Sequence, residues 1–238
     1  SINWARIIAQ SVYYFYAYFK LGNGQPLSFC VPTGNFGDIY AGYLAKKLGL
    51  PIDQLIVATN KNDILHRAIS GGDYTQKKVE ETNTPSMDIQ IASNFERLLY
   101  DIKDCNSEVT KDVMSKIRNN TYKIDKSDLD KIKKNFISEM LDEKETVEMI
   151  KVINDEYHIV IDPHTAVGVG AAKKLGLEKN CVVLSTAHPC KFPQAIEDAI
   201  SKAENLPDSL KYVNERKEKF EVLPNDIKKI KDYIINSV

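Results

Sequence analysis

Leu27-Ser28-Phe29-Cys30-Val31-Pro32-Thr33-Gly34-Asn35-Phe36-Gly37-Asp38 decides the fold. Its first five residues are a short apolar run, as a strand buried on both faces requires. The proline and the two glycines then read as a turn, and residues 37–48 continue as a helix that ends at Gly49 and Pro51. A second apolar run follows at Leu55-Ile56-Val57-Ala58. Strand, turn, helix and strand in that order is a βαβ unit, the building block of a parallel sheet.

Working outward, two more apolar runs predict strands at His158-Ile159-Val160-Ile161 and Cys181-Val182-Val183-Leu184, with a helix between them at about 165–175, closed by Gly176. The fold class is therefore α/β, a parallel twisted sheet covered by helices. Upstream, residues 2–19 predict a helix whose apolar face is Ile8, Val12, Phe15 and Phe19, ended by Gly22-Asn23-Gly24-Gln25-Pro26. Residues 103–157 are rich in Lys, Asp and Glu, with Leu129, Ile132, Phe136 and Met140 at helical spacing. They read as a charged helical insertion within one domain of residues 1–238. A last amphipathic helix is expected at about 224–235.

The 238 residues suffice for a sizeable core. A net charge of -1 gives no electrostatic reason to expect nucleic acid or an anionic membrane as a partner. No apolar run approaches the roughly 20 residues needed to span a bilayer. Cys30, Cys105, Cys181 and Cys190 form no CxxC pair and read as free thiols of a reducing compartment. The histidines His66, His158, His164 and His188 show no metal-ligand spacing, so no metal is expected.

Chemistry concentrates in the turns after the strands. In the turn at Gly34, Asn35, Phe36, Gly37 and Asp38, glycines permit close backbone approach, and the helix that begins there contributes unpaired N–H groups and a positive dipole end. Two readings stay open on spacing alone: a phosphate cradle, or a tight βα turn with Asp38 favouring the first helical turn. The stretch is neither a Walker motif nor a GxGxxG fingerprint. Thr186, in Ser185-Thr186-Ala187-His188-Pro189, could present a hydroxyl at the carboxyl end of a strand or satisfy a turn, and His188 reads as structural. Ser1, Asn3 and Arg6 could bind an anion at a helix start, or cap it. Asp162-Pro163-His164-Thr165 could line the same rim, or cap the following helix.

Taken in order, Ser1-Ile2-Asn3-Trp4-Ala5-Arg6-Ile7, Pro32-Thr33-Gly34-Asn35-Phe36-Gly37-Asp38, Ala58-Thr59-Asn60 with Asn62-Asp63-Ile64-Leu65, Pro85-Ser86-Met87-Asp88-Ile89 with Ser93-Asn94-Phe95-Glu96-Arg97, Asp162-Pro163-His164-Thr165-Ala166, and Ser185-Thr186-Ala187-His188-Pro189 with Lys191-Phe192 resemble the threonine synthase family over nearly the whole chain. The resemblance implies the tryptophan-synthase-β type of fold and pyridoxal phosphate as cofactor. It implies that Gly34, Asn35, Phe36, Gly37 and Asp38 hold the cofactor phosphate, that Thr186 faces the pyridine nitrogen, and that Ser1, Asn3 and Arg6 lie near the phosphate of the substrate. The implied reaction converts O-phospho-L-homoserine and water to L-threonine and phosphate in the cytoplasm.

No lysine here matches the family's Schiff-base motif. The chain is therefore expected to be the C-terminal portion of a longer protein, inactive alone, with its own N-terminal domain as partner. Rival readings are a related phospholyase, a non-catalytic module that binds pyridoxal phosphate or phosphate, and a nucleotide- or flavin-binding domain.

Overall fold

The structure, a computed structural model, describes residues 3–201, 206–208, 211–212 and 215–237. It divides into two compact units, Ser1–Glu204 and Asn205–Val238. The first runs α1 (Trp4–Leu21), β1 (Leu27–Pro32), α2 (Gly37–Lys47), β2 (Ile52–Thr59), α3 (Ile64–Gly71), α4 (Phe95–Ile102), α5 (Ser107–Arg118) and α6 (Lys126–Lys133). It continues with β3 (Phe136–Met140), α7 (Glu143–Tyr157), α8 (Pro163–Lys174), β4 (Cys181–Val183) and α9 (Pro193–Ile200). The second unit carries α10 (Ile227–Asn236), the terminal helix expected from its amphipathic pattern. No helix among the described residues is long and apolar enough to cross a membrane.

The four strands form one parallel sheet in the order β3-β2-β1-β4. β1 is central, with Phe29 opposite Leu55 on one side and Val182 on the other. Because side chains alternate across a strand, β1 feeds two cores. Phe29 and Val31 join Leu55, Val57 and Phe136 in the larger cluster, beneath Tyr14 of α1 and Ile39 of α2. Cys30, Ile56 and Ala58 face the other way, in a cluster with Val167 and Ala171 of α8. Both faces of the central strands are thus covered, which is why their sequences read as continuous apolar runs. α8 lies close to the sheet because Gly168 has no side chain: a Cβ there would stand 2.7 Å from Val183 Cγ1.

Three expectations need correction. His158-Ile159-Val160-Ile161 is not a strand. His158 ends α7 in the left-handed conformation (φ 57°), and Asp162 caps α8 by accepting from the N–H of His164 and Thr165. The run is a link between two caps, and a four-residue apolar run cannot by itself distinguish the two. The third strand is instead β3, inside the 103–157 segment expected to be wholly helical. Leu129 and Ile132 belong to α6, and Phe136 and Met140 continue their spacing by coincidence. Ser138 and Glu139 give β3 the polar character that suits its place at the sheet edge.

The third correction concerns α1, whose buried face is Ile7, Ser11 and Tyr14. Ile8, Val12 and Phe19 are 47%, 59% and 77% exposed, and Phe15 is partly buried. A serine and a tyrosine on the packed face hid it: Ser11 Oγ donates to Ile8 O, and the Tyr14 hydroxyl donates to Asp38 O at 2.8 Å. α1 therefore carries a packed face and, one residue round, an apolar stripe left on the surface.

If β3 is a true core strand, Phe136→Ala destabilises the fold by about 3–5 kcal/mol, the usual cost of emptying a buried aromatic site. Urea unfolding measures it, and a loss under about 1 kcal/mol would place Phe136 outside the core.

Candidate functional site

A cavity of about 620 Å³ lies at the carboxyl ends of β1 and β4. That volume is within the range of small-ligand sites, and the carboxyl ends of parallel strands are where open α/β sheets place them. One wall is α1, through Arg6, Gln10 and Tyr13. The floor is the turn after β1, with Gly34, Asn35, Gly37 and Asp38. A further part of the lining follows β4, with Leu184, Ser185, Thr186, Ala187, Lys191 and Phe192, and His164 of α8 also lines the cavity. Pro32, Ser86 and Met87 also line it.

The floor is shaped by Phe36. Its backbone is left-handed (φ 67°, ψ 10°), a conformation that disfavours a bulky residue. Burial holds it there: its ring is packed edge-on against Phe95 at 5.1 Å and tilted against Phe136 at 5.6 Å. Asn35 ties the turn from both sides, accepting from Gly37 N–H through Oδ1 at 3.0 Å and from Asn94 N–H through its carbonyl at 3.0 Å. Gly34 lies against the next loop so closely that a Cβ would be 2.2 Å from Ser86 O. Among the described residues no hydrogen bond takes up the N–H of Gly34, Asn35, Phe36, Asp38 or Ile39. Free donors at a helix start, with the dipole behind them, suit a bound phosphate.

Asp38 lies in the first turn of α2 and lines the cavity. Burial raises its pKa to about 6, against the smaller lowering effect of the Tyr14 hydroxyl, which is 3.3 Å from Oδ1. Asp162, the N-cap of α8 next to His164, is buried, yet its pKa is lowered, because hydrogen bonds from His164 and Thr165 outweigh the opposing effect of burial. Its Oδ1 is 3.1 Å from His164 Nδ1, its Oδ2 accepts from the Thr165 hydroxyl, and that hydroxyl is 3.4 Å from Ser185 Oγ. No three of His, Cys, Asp and Glu come together as a metal site among the described residues.

The structure gathers Arg6, Gly34, Asn35, Gly37, Asp38 and Thr186 around one cavity. Phe36 is not among the lining residues, and its side chain is core. Asn3 caps α1, accepting from Ala5 N–H at 2.9 Å, and does not line the cavity; Ser1 lies outside the described residues. Sequence reading assigned no part to Gln10, Tyr13, Ser86 or Lys191. Only the tertiary fold brings their distant segments to the turn.

Fold and site define an α/β protein with a ligand-sized cavity at the carboxyl ends of parallel strands. Comparison with known proteins narrows this. The family model for the C-terminal part of threonine synthase matches residues 165–234. The threonine synthase of Pseudomonas aeruginosa is 44% identical over 98% of this chain and 51% of its own length; that of Saccharomyces cerevisiae is 42% identical over 98% and 52%. Among solved structures, PLP-bound threonine synthase from Brucella melitensis superposes with a TM-score of 0.91 at 43% identity, over 99% of this chain and 52% of that one. Yeast threonine synthase gives 0.86 at 40% identity, over 99% and 52%. The chain spans about half the length of the curated relatives it matches. It belongs to the threonine synthase family.

The raised pKa of Asp38 sets a pH dependence. The unfolded chain releases this proton near the ordinary 3.8 and the folded chain near 6. Asp38 therefore contributes stability that is fully present below about pH 4 and is lost as pH rises through about 6, by up to about 3 kcal/mol. Asp38→Asn flattens that part of the stability curve in urea melts between pH 4 and 7. An unchanged slope in the variant would show that Asp38 titrates normally.

Proposed function

We propose that this chain supplies the cofactor-phosphate cradle and much of the substrate pocket of a threonine synthase. The reaction on this reading takes O-phospho-L-homoserine and water to L-threonine and phosphate with pyridoxal phosphate. The observation that carries it is the turn from Gly34 to Asp38, where Gly34, Asn35 and Asp38, with unengaged N–H groups, line a cavity of suitable size. The family relationship supports the same assignment.

The backbone N–H groups of Gly34, Asn35, Phe36 and Asp38 hold the cofactor phosphate, and the α2 dipole adds to them. Gly34 belongs there because any side chain would strike Ser86 O. A phosphate beside Asp38 favours the protonated carboxyl, which burial already favours. Thr186 faces the pyridine nitrogen with a neutral hydroxyl, which does not enforce a charged ring as a carboxylate would. When bound, the cofactor supplies an electron sink for proton removal next to the amino-bearing carbon. Arg6 binds the phosphate of the substrate, with Asn3 and Ser1 near it, and Lys191 adds a second cation to the cavity lining.

The amine that must accept and return protons lies, on this proposal, in a part of the protein outside residues 1–238, and that part is the partner of this chain. The apolar stripe of Ile8, Val12 and Phe19 is a surface suited to such a partner. The isolated chain is then inactive.

Borohydride reduction in the presence of pyridoxal phosphate, followed by mass spectrometry, tests the division of labour. The expected result is no stoichiometric lysine adduct. A single full adduct, on Lys191 above all, would place the amine within this chain. For the cradle, Gly34→Ala weakens pyridoxal phosphate binding by at least about tenfold, the loss of roughly one good charge-assisted contact. Unchanged affinity by fluorescence titration would remove the phosphate from this turn.

A further inference from the structure

The side chain of His164 is 4% exposed, and the residue is one of those that line the cavity. One nitrogen is fixed: Nδ1 lies 3.1 Å from Asp162 Oδ1. The other, Nε2, is buried without a hydrogen-bond partner. Native proteins rarely leave a buried polar atom in that condition, because nothing replaces the water it has lost.

Helix capping does not explain the residue. Asp162 caps α8 through the N–H of His164 and Thr165, for which any side chain at 164 would serve, and Pro163 presets the first helical turn. Packing does not explain it either. The ring lies tilted on Phe192, with centroids 4.8 Å apart, a contact that an apolar aromatic would make without an orphaned nitrogen. What distinguishes histidine here is the second nitrogen.

We infer that His164 is a ligand contact of this cavity, oriented by Asp162 so that Nε2 pairs with a polar atom brought in by the pyridine ring of the bound cofactor. The inference rests on the cofactor reading proposed above. With Nδ1–H donated to Asp162, Nε2 carries a lone pair and accepts; with a second proton it donates. Asp162 ties this contact to the β4 wall, since its other oxygen accepts from Thr165, which reaches Ser185 beside Thr186. Asp162 is thus a positioning residue, and His164 is the group that meets the ligand.

The test uses the unmodified chain with 15N-labelled histidine and backbone, titrated with pyridoxal phosphate and, separately, with inorganic phosphate. Both probes are expected to move the amide signals of Gly34 and Asp38, whereas only pyridoxal phosphate moves the Nε2 signal of His164. His164→Phe keeps the stacked ring and is expected to weaken pyridoxal phosphate about tenfold while leaving inorganic phosphate binding unchanged. Should that variant not fold, the imidazole signal of the unmodified chain decides alone. Loop amides that respond to pyridoxal phosphate while Nε2 stays still would overturn the inference and leave the cradle standing. Loop amides that respond to neither probe would overturn the cofactor reading, and this inference with it.

Discussion

Phe36 is the residue on which the site depends. Its left-handed backbone turns the chain between β1 and α2, and a bulky side chain pays for that conformation with an unfavourable local energy of about 1–2 kcal/mol. The ring offsets it by lying in the main core, against Phe95 of α4 and Phe136 of β3. A core contact therefore fixes the backbone of a turn at the cavity floor. Neighbouring constraints act in the same direction: Asn35 bonds to Gly37 and Asn94, and Gly34 fits only because it has no side chain against Ser86 O. The donors left over belong to a rigid surface, and rigid donors bind an anion without first having to be ordered.

Charge is distributed to match. Asp38, next to those donors, is held toward its neutral form by burial, so it opposes an anion less than its residue type suggests. Arg6 and Lys191 both line the cavity, and the start of α2, with its fixed partial positive charge, lines it too. Asp162 is the acid whose ionised form the fold favours, and its charge is engaged by His164 and Thr165. Asp38, half-buried in the cavity lining, and Asp162, buried behind His164, thus have opposite tendencies for a local reason: one receives a single distant hydroxyl, the other several close donors.

Much of this was legible in the sequence, and the remainder was hidden for identifiable reasons. β1, α2 and the glycine turn declare themselves because a doubly covered strand is continuously apolar and its exit needs glycine. β3 escaped because an edge strand carries Ser138 and Glu139 and follows α6 in helical register. The packed face of α1 escaped because it carries Ser11 and Tyr14, the latter with a hydroxyl satisfied by Asp38 O, a partner 24 positions away. In the cavity, Arg6, the turn and Thr186 could be named from local pattern. Ser86, Lys191 and the unpaired nitrogen of His164 could not, since each acquires its place from a segment remote in sequence.

The central claim is that backbone, more than any cationic side chain, holds a phosphate here. A crystal structure of the chain grown with pyridoxal phosphate tests it most directly. The account predicts phosphate oxygens about 3 Å from the N–H groups of Gly34, Asn35, Phe36 and Asp38. A phosphate held instead between Arg6 and Lys191, with those N–H groups contacting only water, would contradict it.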